Sequence, residues 1–458
     1  MRATLVSLRP AETAADRPSL TPELLAASGA RYSRNNEGLE AILAKIDPEN
    51  LDKSVDSIFR MIDYGHQSIA DMAPVAIFID GISLILAYKL WARCPTAGGQ
   101  ESSTRYIQLT QEGALSAEAI GLPESLRNEH ERMIGDAFSA YEQALAFWGW
   151  LAEERPDLIR APEGLSPKAV ERIKRNYAFD RARYFLPVAS KTNVMLAMSA
   201  RAWAQLCQRL NSHYLAEARQ LGELLRNELA LATPRLVKHA GETHSYKMGA
   251  QYELDCWVNE AIHFVPERIC RSEYETDEPP MAMMDVYPPH EMPNYAADLA
   301  HHGNRYDWVG PDLRRTGLRY GWSAVAFGEI RDLNRHRTGA RYCPLIPRGF
   351  YWASDQIPKG VDPSPIRKLA ETGREAAKRC YELLRDGEHT FGYWPTLGVQ
   401  FFFERLTTAD KFVYEAELRT GAGAHFRYAR HYTDALRLFY EWFPETKGLI
   451  LEGSAEPE

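Results

Sequence analysis

Arg93-Cys-Pro-Thr-Ala-Gly-Gly-Gln-Glu-Ser-Ser-Thr-Arg-Tyr106 is the densest polar stretch of the chain. It follows Ile82 to Ala92, whose apolar spacing predicts a largely buried helix that ends before Pro95. Gly98 and Gly99 let the backbone approach a ligand closely, and Ser102, Ser103 and Thr104 bring hydroxyls. Arg93 and Arg105 can each make bidentate, charge-assisted bonds to a phosphate. By composition alone, the stretch suits a solvated loop with ordinary arginines as well as it suits a ligand loop.

Working outward, Tyr64-Gly-His-Gln-Ser68 closes a helix predicted over Ser54 to Tyr64, with Gly65 as its C-cap. An imidazole such as His66 at a helix end serves as cap or dipole partner as readily as a catalyst. Strands are predicted at Ala3 to Leu8 and Val75 to Ile79, and short helices at Leu20 to Ala27 and Leu39 to Ile46. Downstream, helices are predicted over Glu124 to Glu153, Val170 to Ala182 and Ala197 to Ala232. Arg183-Tyr-Phe-Leu-Pro187 sets an arginine against an apolar, strand-like turn. Arg201 and Gln205 share a helix face, while Arg209 lies about 80° away from Arg201. Surface ion pairing accounts for these residues equally well.

The chain has 458 residues, enough for two or three domains. Its 54 basic and 62 acidic side chains give a net charge of −8, which argues against a nucleic-acid partner. A hydrophobic share of 45% excludes wholesale disorder. The longest apolar run, Pro74 to Trp91, is interrupted by Asp80, Ser83 and Lys89, which argues against a membrane span. The six cysteines are scattered with no C-x-x-C pair, so neither a disulfide framework nor a zinc knuckle is expected. No secretory h-region opens the sequence, and a reducing, cytosolic compartment is the resulting expectation. His239, His244, His301, His302, His425 and His431 form no spaced ligand set with carboxylates, so no metal is expected.

Between Thr276 and Tyr295 the chain turns rich in Pro, Met and acids, as a linker or extended wrap would be. Beyond it the pattern starts again. Gly29-Ala-Arg-Tyr32 is echoed by Gly303-Asn-Arg-Tyr306, and the R…RY frame of Arg93 to Tyr106 by a shorter one over Arg335 to Tyr342. Arg201, Arg209 and His213 find an echo in Arg419, Arg427 and His431. These echoes predict a duplication, with a first domain over 1–235, a linker region over 236–280 and a diverged second domain over 281–450.

The ordered set G-H-x-S, the Q-E-x-S-x-R-Y loop, R-x-x-L-P, A-R-x-W and R-x-x-S-H resembles the flavin-dependent thymidylate synthase family. In the family's signature loop, R-H-R-x-x-S-x-N-E-x-S-x-R-Y, Arg93, Glu101, Ser103, Arg105 and Tyr106 match in register. The second half resembles the family through Asn334-Arg-His-Arg337 and the stretch from Leu418 to His431. The resemblance implies an α+β fold in two tandem copies, each an antiparallel or mixed sheet packed with long helices. It implies FAD as cofactor, deoxyuridylate as the substrate methylated at C5, methylenetetrahydrofolate as one-carbon donor and NADPH as reductant. Arg93, Glu101, Ser103, Arg105, Tyr106 and Arg183 would hold the nucleotide. His66, Ser68, Ser199, Arg201 and Gln205 would lie along the FAD. Arg209 would polarise the uracil ring, and Arg427 in the second half is a candidate for the same role.

The departures from the family pattern are specific. Cys94 and Pro95 replace the His and second Arg of the signature, and Leu90 stands where a glutamine is usual. The second half keeps Arg335-His336-Arg337 but lacks the Glu and Ser of the nucleotide loop. Aligning Pro395 with Pro187 puts Phe391 where the nucleotide arginine would be. This pattern implies a division of labour, with Arg335, His336 and Arg337 serving the flavin, or else serving structural ion pairs. Two alternatives stay open: an enzyme modifying another pyrimidine nucleotide at C5, and a non-catalytic nucleotide- or flavin-binding relative. Because the family shares its sites among four subunits, two tandem copies predict a homodimer.

Overall fold

The computed structural model describes residues 1–9, 11, 18–33, 38–47, 50, 55–56, 68–94, 96–159, 161, 163–263, 280–289 and 291–453. His66, Pro95, Cys270 and most of the helix expected over Ser54 to Tyr64 lie outside the described residues.

The principal elements begin with β1 (Arg2–Val6), α1 (Pro22–Tyr32), β2 (Pro74–Ser83), α2 (Leu84–Arg93) and β3 (Gly98–Glu101). Then come α3 (Glu124–Glu154), α4 (Pro167–Ala182), β4 (Lys191–Ser199), α5 (Ala200–Asn211), α6 (Ala216–Ala232) and α7 (His244–His263). The remainder holds β5 (Ala282–Tyr287), β6 (Gly317–Ala326), α8 (Phe327–Leu333), β7 (Ala340–Tyr342) and β8 (Gly349–Phe350). It ends with α9 (Ser364–Arg385), β9 (Val399–Thr408), α10 (Ala409–Thr420) and α11 (Phe426–Trp442).

The chain forms two compact units. The first comprises residues 1–102, 119–121 and 191–254, and the second 103–118, 122–190 and 255–458. Each is built on an antiparallel sheet, with order β1-β2-β4-β3 in the first and β5-β6-β9-β7 in the second, where β8 also pairs with β9. The two sheets therefore have one topology: first, second, last, third. Each second strand carries a register shift, between Asp80 and Ile82 and between Trp322 and Val325. Each then runs straight into a helix, as does each last strand. The duplicated α+β architecture is thus visible in the element order itself.

That order also refines the echoes. The turns Arg183–Phe185 and Phe391–Tyr393 hold equivalent places before β4 and β9, so Phe391 does stand where Arg183 stands. The third echo is out of register: Arg201 opens α5, whereas Arg419 lies in the last turn of α10. Arg209, in the last turn of α5, has its positional equivalent in Arg419 rather than Arg427, which belongs to the first turn of α11.

The compact bodies do not follow the boundaries expected from the sequence. Helices α3 and α4, which precede residue 235, count with the second unit, because α3 packs along α9 and the His130 ring on it bonds the Tyr393 carbonyl oxygen at 3.3 Å. The described part of 236–280 is largely helical, as Leu236–His239 and α7. Lys191–Ser199 is a strand with alternate residues buried, although Ala197 to Ser199 were expected to open a helix.

Local chemistry explains the junction that sets the first unit's site. Ser83 ends β2 and N-caps α2, its hydroxyl accepting from Leu86 N–H at 3.1 Å and donating to Glu217 at 2.7 Å. The Ser83 N–H donates to the other Glu217 oxygen at 2.7 Å. At Gly99, a Cβ would come within 2.1 Å of the Met195 carbonyl oxygen, so only glycine lets β3 lie against β4 there. The core around α1 and the start of α5 is small-residue packing, with Ala26, Ala27, Ala30, Ala70, Ala73 and Ala200 buried. The second unit is filled instead by aromatic rings, among them Tyr320, Trp322, Phe412, Tyr432 and Phe439.

Candidate functional site

In the first unit, α2, α5 and the part of α7 up to Leu254 each turn one stripe toward a cavity of about 210 Å³. From α2 come Leu86, Lys89 and Arg93, from α5 Leu206, Arg209 and Leu210, and from α7 Tyr246, Gly249, Ala250 and Glu253. Each set follows the spacing of one helix face, which is why residues distant in sequence converge. His213 completes the lining. Lys89, Arg93 and Arg209 against one carboxylate, Glu253, leave the cavity basic, so it suits an anion.

The side chains are held in specific ways. Arg93 donates to Glu253 at 2.5 Å, in a pair half open to water. The Arg209 guanidinium lies 5.3 Å from the Tyr246 ring centre, and Lys89 Nζ lies 5.7 Å from that of Tyr214. His213 Nδ1 accepts from the Leu215 N–H at 3.0 Å, so in the neutral ring the other nitrogen carries the proton.

A second cavity of about 260 Å³ opens on the adjacent face of α5 and shares Tyr246 with the first. Ala70, Ala200, Ala204 and Leu236 give it apolar walls, and Arg201, Gln205, Gln208 and His239 give it polar groups. Arg201 pairs with Asp71 at 2.9 Å, and the Ser199 hydroxyl donates to the same carboxylate at 3.1 Å while accepting from Ala202 N–H. Ser68 is exposed at the start of the short helix Ser68–Asp71. The angle between Arg201 and Arg209 on α5 thus separates two cavities.

The expected nucleotide loop divides. Glu101, half-buried on β3, accepts from the Trp91 indole N–H at 3.0 Å in the first unit. Ser103, Arg105 and Tyr106 belong to the second unit, and the Ser103 hydroxyl accepts from Arg105 N–H at 3.2 Å. Arg105 is buried and grips both Asp180 oxygens, at 2.8 and 2.9 Å, with Tyr106 exposed beside it. Arg183 is 1% exposed and donates to Asp332 at 3.1 Å. Burial pushes the Asp332 carboxyl up, but Arg183, Arg105 and Arg419 outweigh it and hold the group below the usual carboxylate range.

The Arg335-His336-Arg337 triplet also lies in the second unit, where His336 is internal. Its Nε2 accepts from Arg419 Nε at 2.7 Å and its Nδ1 lies 3.9 Å from Glu415. Burial, reinforced by Arg419 and Arg405, drives its pKa well below the ordinary value, so the ring is neutral. Arg335 and Arg337 are half-buried. Arg427, the other candidate for the uracil role, pairs with Asp355 at 3.3 Å. Arg405 and Glu415, 0% and 2% exposed, pair at 2.6 Å nearby, and Glu415 also accepts from Tyr320 and Tyr432.

Tyr246, Gly249, Ala250 and Glu253 fall in the stretch 236–280 that the sequence reads as a linker, and the structure places them on helix α7. Their spacing at i, i+3, i+4 and i+7 was the available signal.

A basic cavity on an antiparallel α+β frame thus lies beside a second cavity with small apolar walls. Residues 19–235, a little under half of the chain, match the family model described as thymidylate synthase complementing protein. A UPF0159 protein of Chlamydia pneumoniae is 24% identical across 91% of this chain and 87% of its own length. A flavin-dependent thymidylate synthase of Clostridium tetani is 24% identical across 48% of this chain and 82% of its own. Among solved structures, a UMP/dUMP methylase of Streptomyces cacaoi bound with 5-Br dUMP is 17% identical, with a TM-score of 0.32, and covers 52% of this chain and 93% of that one. Among the described residues, no helix is long and apolar enough to cross a membrane.

Proposed function

We propose that the chain is an FAD-dependent enzyme that methylates deoxyuridylate at C5, taking the carbon from methylenetetrahydrofolate and reducing equivalents from NADPH. The observation that carries this reading is the meeting of Arg93 and Arg209 in one basic cavity, although they stand on separate helices. Bond formation at C5 needs electron density pushed onto that carbon. A guanidinium at the N3–O4 edge of uracil stabilises the developing negative charge without a covalent nucleophile. Arg209 would serve that task, and Arg93 and Lys89 would meet the nucleotide's anionic end.

The adjoining cavity suits a flavin. Its alanines leave room for a flat ring, Gln205 and Gln208 offer amide donors and acceptors, and Arg201 offers a cation. Ser68, Ser199, Arg201 and Gln205 would hold the cofactor there, and FAD when bound supplies the reducing chemistry. The chain's own part is to bind, orient and exclude water from the ring face.

One observation favours a second reading. Arg105 and Arg183, expected on the nucleotide, are engaged by Asp180 and Asp332. An enzyme whose nucleotide-binding set has changed in this way would modify another pyrimidine nucleotide at C5, or bind one without turnover. Titrating the purified protein with FAD and a panel of pyrimidine monophosphates separates the readings. Flavin absorbance with preferential binding of deoxyuridylate supports the first, and preference for another nucleotide supports the second. Absence of flavin binding removes the synthase reading.

A further inference from the structure

Helix α7 lies beyond the residues 19–235 that match the family, yet it forms one wall of the basic cavity. Its first half carries an interior glycine, Gly249, whose missing Cβ would meet nothing within 4 Å. Glycine inside a helix costs about 1 kcal/mol relative to alanine, and no close packing requires it here. Gly249 and Ala250 present the smallest side chains of the cavity lining.

Two anchors fix this half of the helix. Thr243 N–H donates to the Ser212 hydroxyl at 3.0 Å, and Leu254 is buried. Between them, Tyr246 meets Arg209 and Glu253 meets Arg93, so each of the two cavity arginines has a partner on α7. The Arg93–Glu253 pair is 35% and 49% exposed, in the range where such pairs hold weakly. A dianionic phosphate offers Arg93 a stronger partner than one half-solvated carboxylate does.

We infer that the first half of α7 is the ligand-facing wall of this cavity, and that Glu253 is a positioning residue whose carboxylate holds Arg93 until the ligand's phosphate displaces it. The inference rests on the cavity being the nucleotide site. Glu253 thereby sets how strongly the cavity takes an anion, and the cost of displacing it falls on every anionic ligand.

The test is affinity, read by phosphorus NMR titration with inorganic phosphate and by calorimetry with deoxyuridylate, on the full chain. Glu253→Gln should tighten phosphate about tenfold, the scale of removing one like charge from a half-solvated site. Glu253→Asp should return it toward the wild type, and adding Arg93→Ala should erase the gain. Gly249→Leu should weaken phosphate and deoxyuridylate alike, with the helical circular dichroism unchanged. A structural role for Glu253 would give a loss, so unchanged or weaker phosphate binding in Glu253→Gln overturns the inference. A gain for phosphate with no deoxyuridylate binding upholds the role of Glu253 while removing the nucleotide reading of the cavity.

Discussion

Arg93 and Arg405 are both paired with glutamate, and water makes the difference between them. The Arg93–Glu253 pair is half-solvated, and its removal should change stability by at most about 1 kcal/mol. The Arg405–Glu415 pair is sealed among tyrosines, so Glu415→Gln should cost about 3–5 kcal/mol in urea unfolding, much of it from leaving a buried guanidinium uncompensated. Equal midpoints for the two variants would contradict this ranking. In the same spirit, Arg209→Ala should lower turnover more than substrate affinity, because its role is in charge that develops during reaction. A pure rise in KM would assign it to ground-state binding instead. His130 supplies the pH dependence. Burial, opposed by its bond to Tyr393 and by Glu129, lowers its pKa from 6.5 to about 4. The folded state therefore holds the neutral ring, and the unfolded chain takes up the proton first as pH falls. Stability contributed by this group is present above pH 6.5 and lost as pH falls toward 4, by about 3 kcal/mol in total. A non-titrating His130→Gln variant should flatten that part of the acid limb in denaturant titrations.

At the scale of elements, the strand-to-helix junction at Ser83 decides where α2, and with it Lys89 and Arg93, points. Ser83→Ala removes the cap of α2 and one bond to buried Glu217, and should cost about 2 kcal/mol in thermal or urea unfolding. An unchanged midpoint would mean that Glu217 finds water instead. The same scale shows what was legible in the sequence. Amphipathic runs such as Glu124–Glu154 are long and periodic, and they read correctly to within a residue. Lys191–Ser199 did not read as a strand, because its Met, Leu and Ala favour helix and only pairing with β2 and β3 makes it extended. Helix α7 was lost among the prolines and acids that follow it. The arginines of the candidate site were all visible as residues, but their partners were not. Asp180 and Asp332 reach Arg105 and Arg183 only through the fold, since no local spacing joins them.

For the whole molecule, the shared strand order of the two sheets argues that one ancestral fold was doubled, while their interiors have since diverged. The first unit holds two cavities with basic and amide linings. In the second, Arg105, Arg183, Arg405, Arg419 and Arg427 each have an internal partner. If the second half nonetheless serves the flavin, Arg335→Ala and Arg337→Ala should each weaken FAD binding in fluorescence titration, and wild-type affinity in both would assign that half to scaffolding. Two tandem copies predict a homodimer of about twice 52.0 kDa, which light scattering checks. The most direct test of the central claim is product analysis by mass spectrometry, after the purified chain is incubated with FAD, NADPH, methylenetetrahydrofolate and deoxyuridylate. The cavity geometry predicts thymidylate from the wild type and a loss of at least about a hundredfold in Arg209→Ala, the scale of removing one transition-state donor. No thymidylate from flavin-loaded wild type, or undiminished product from Arg209→Ala, would contradict it.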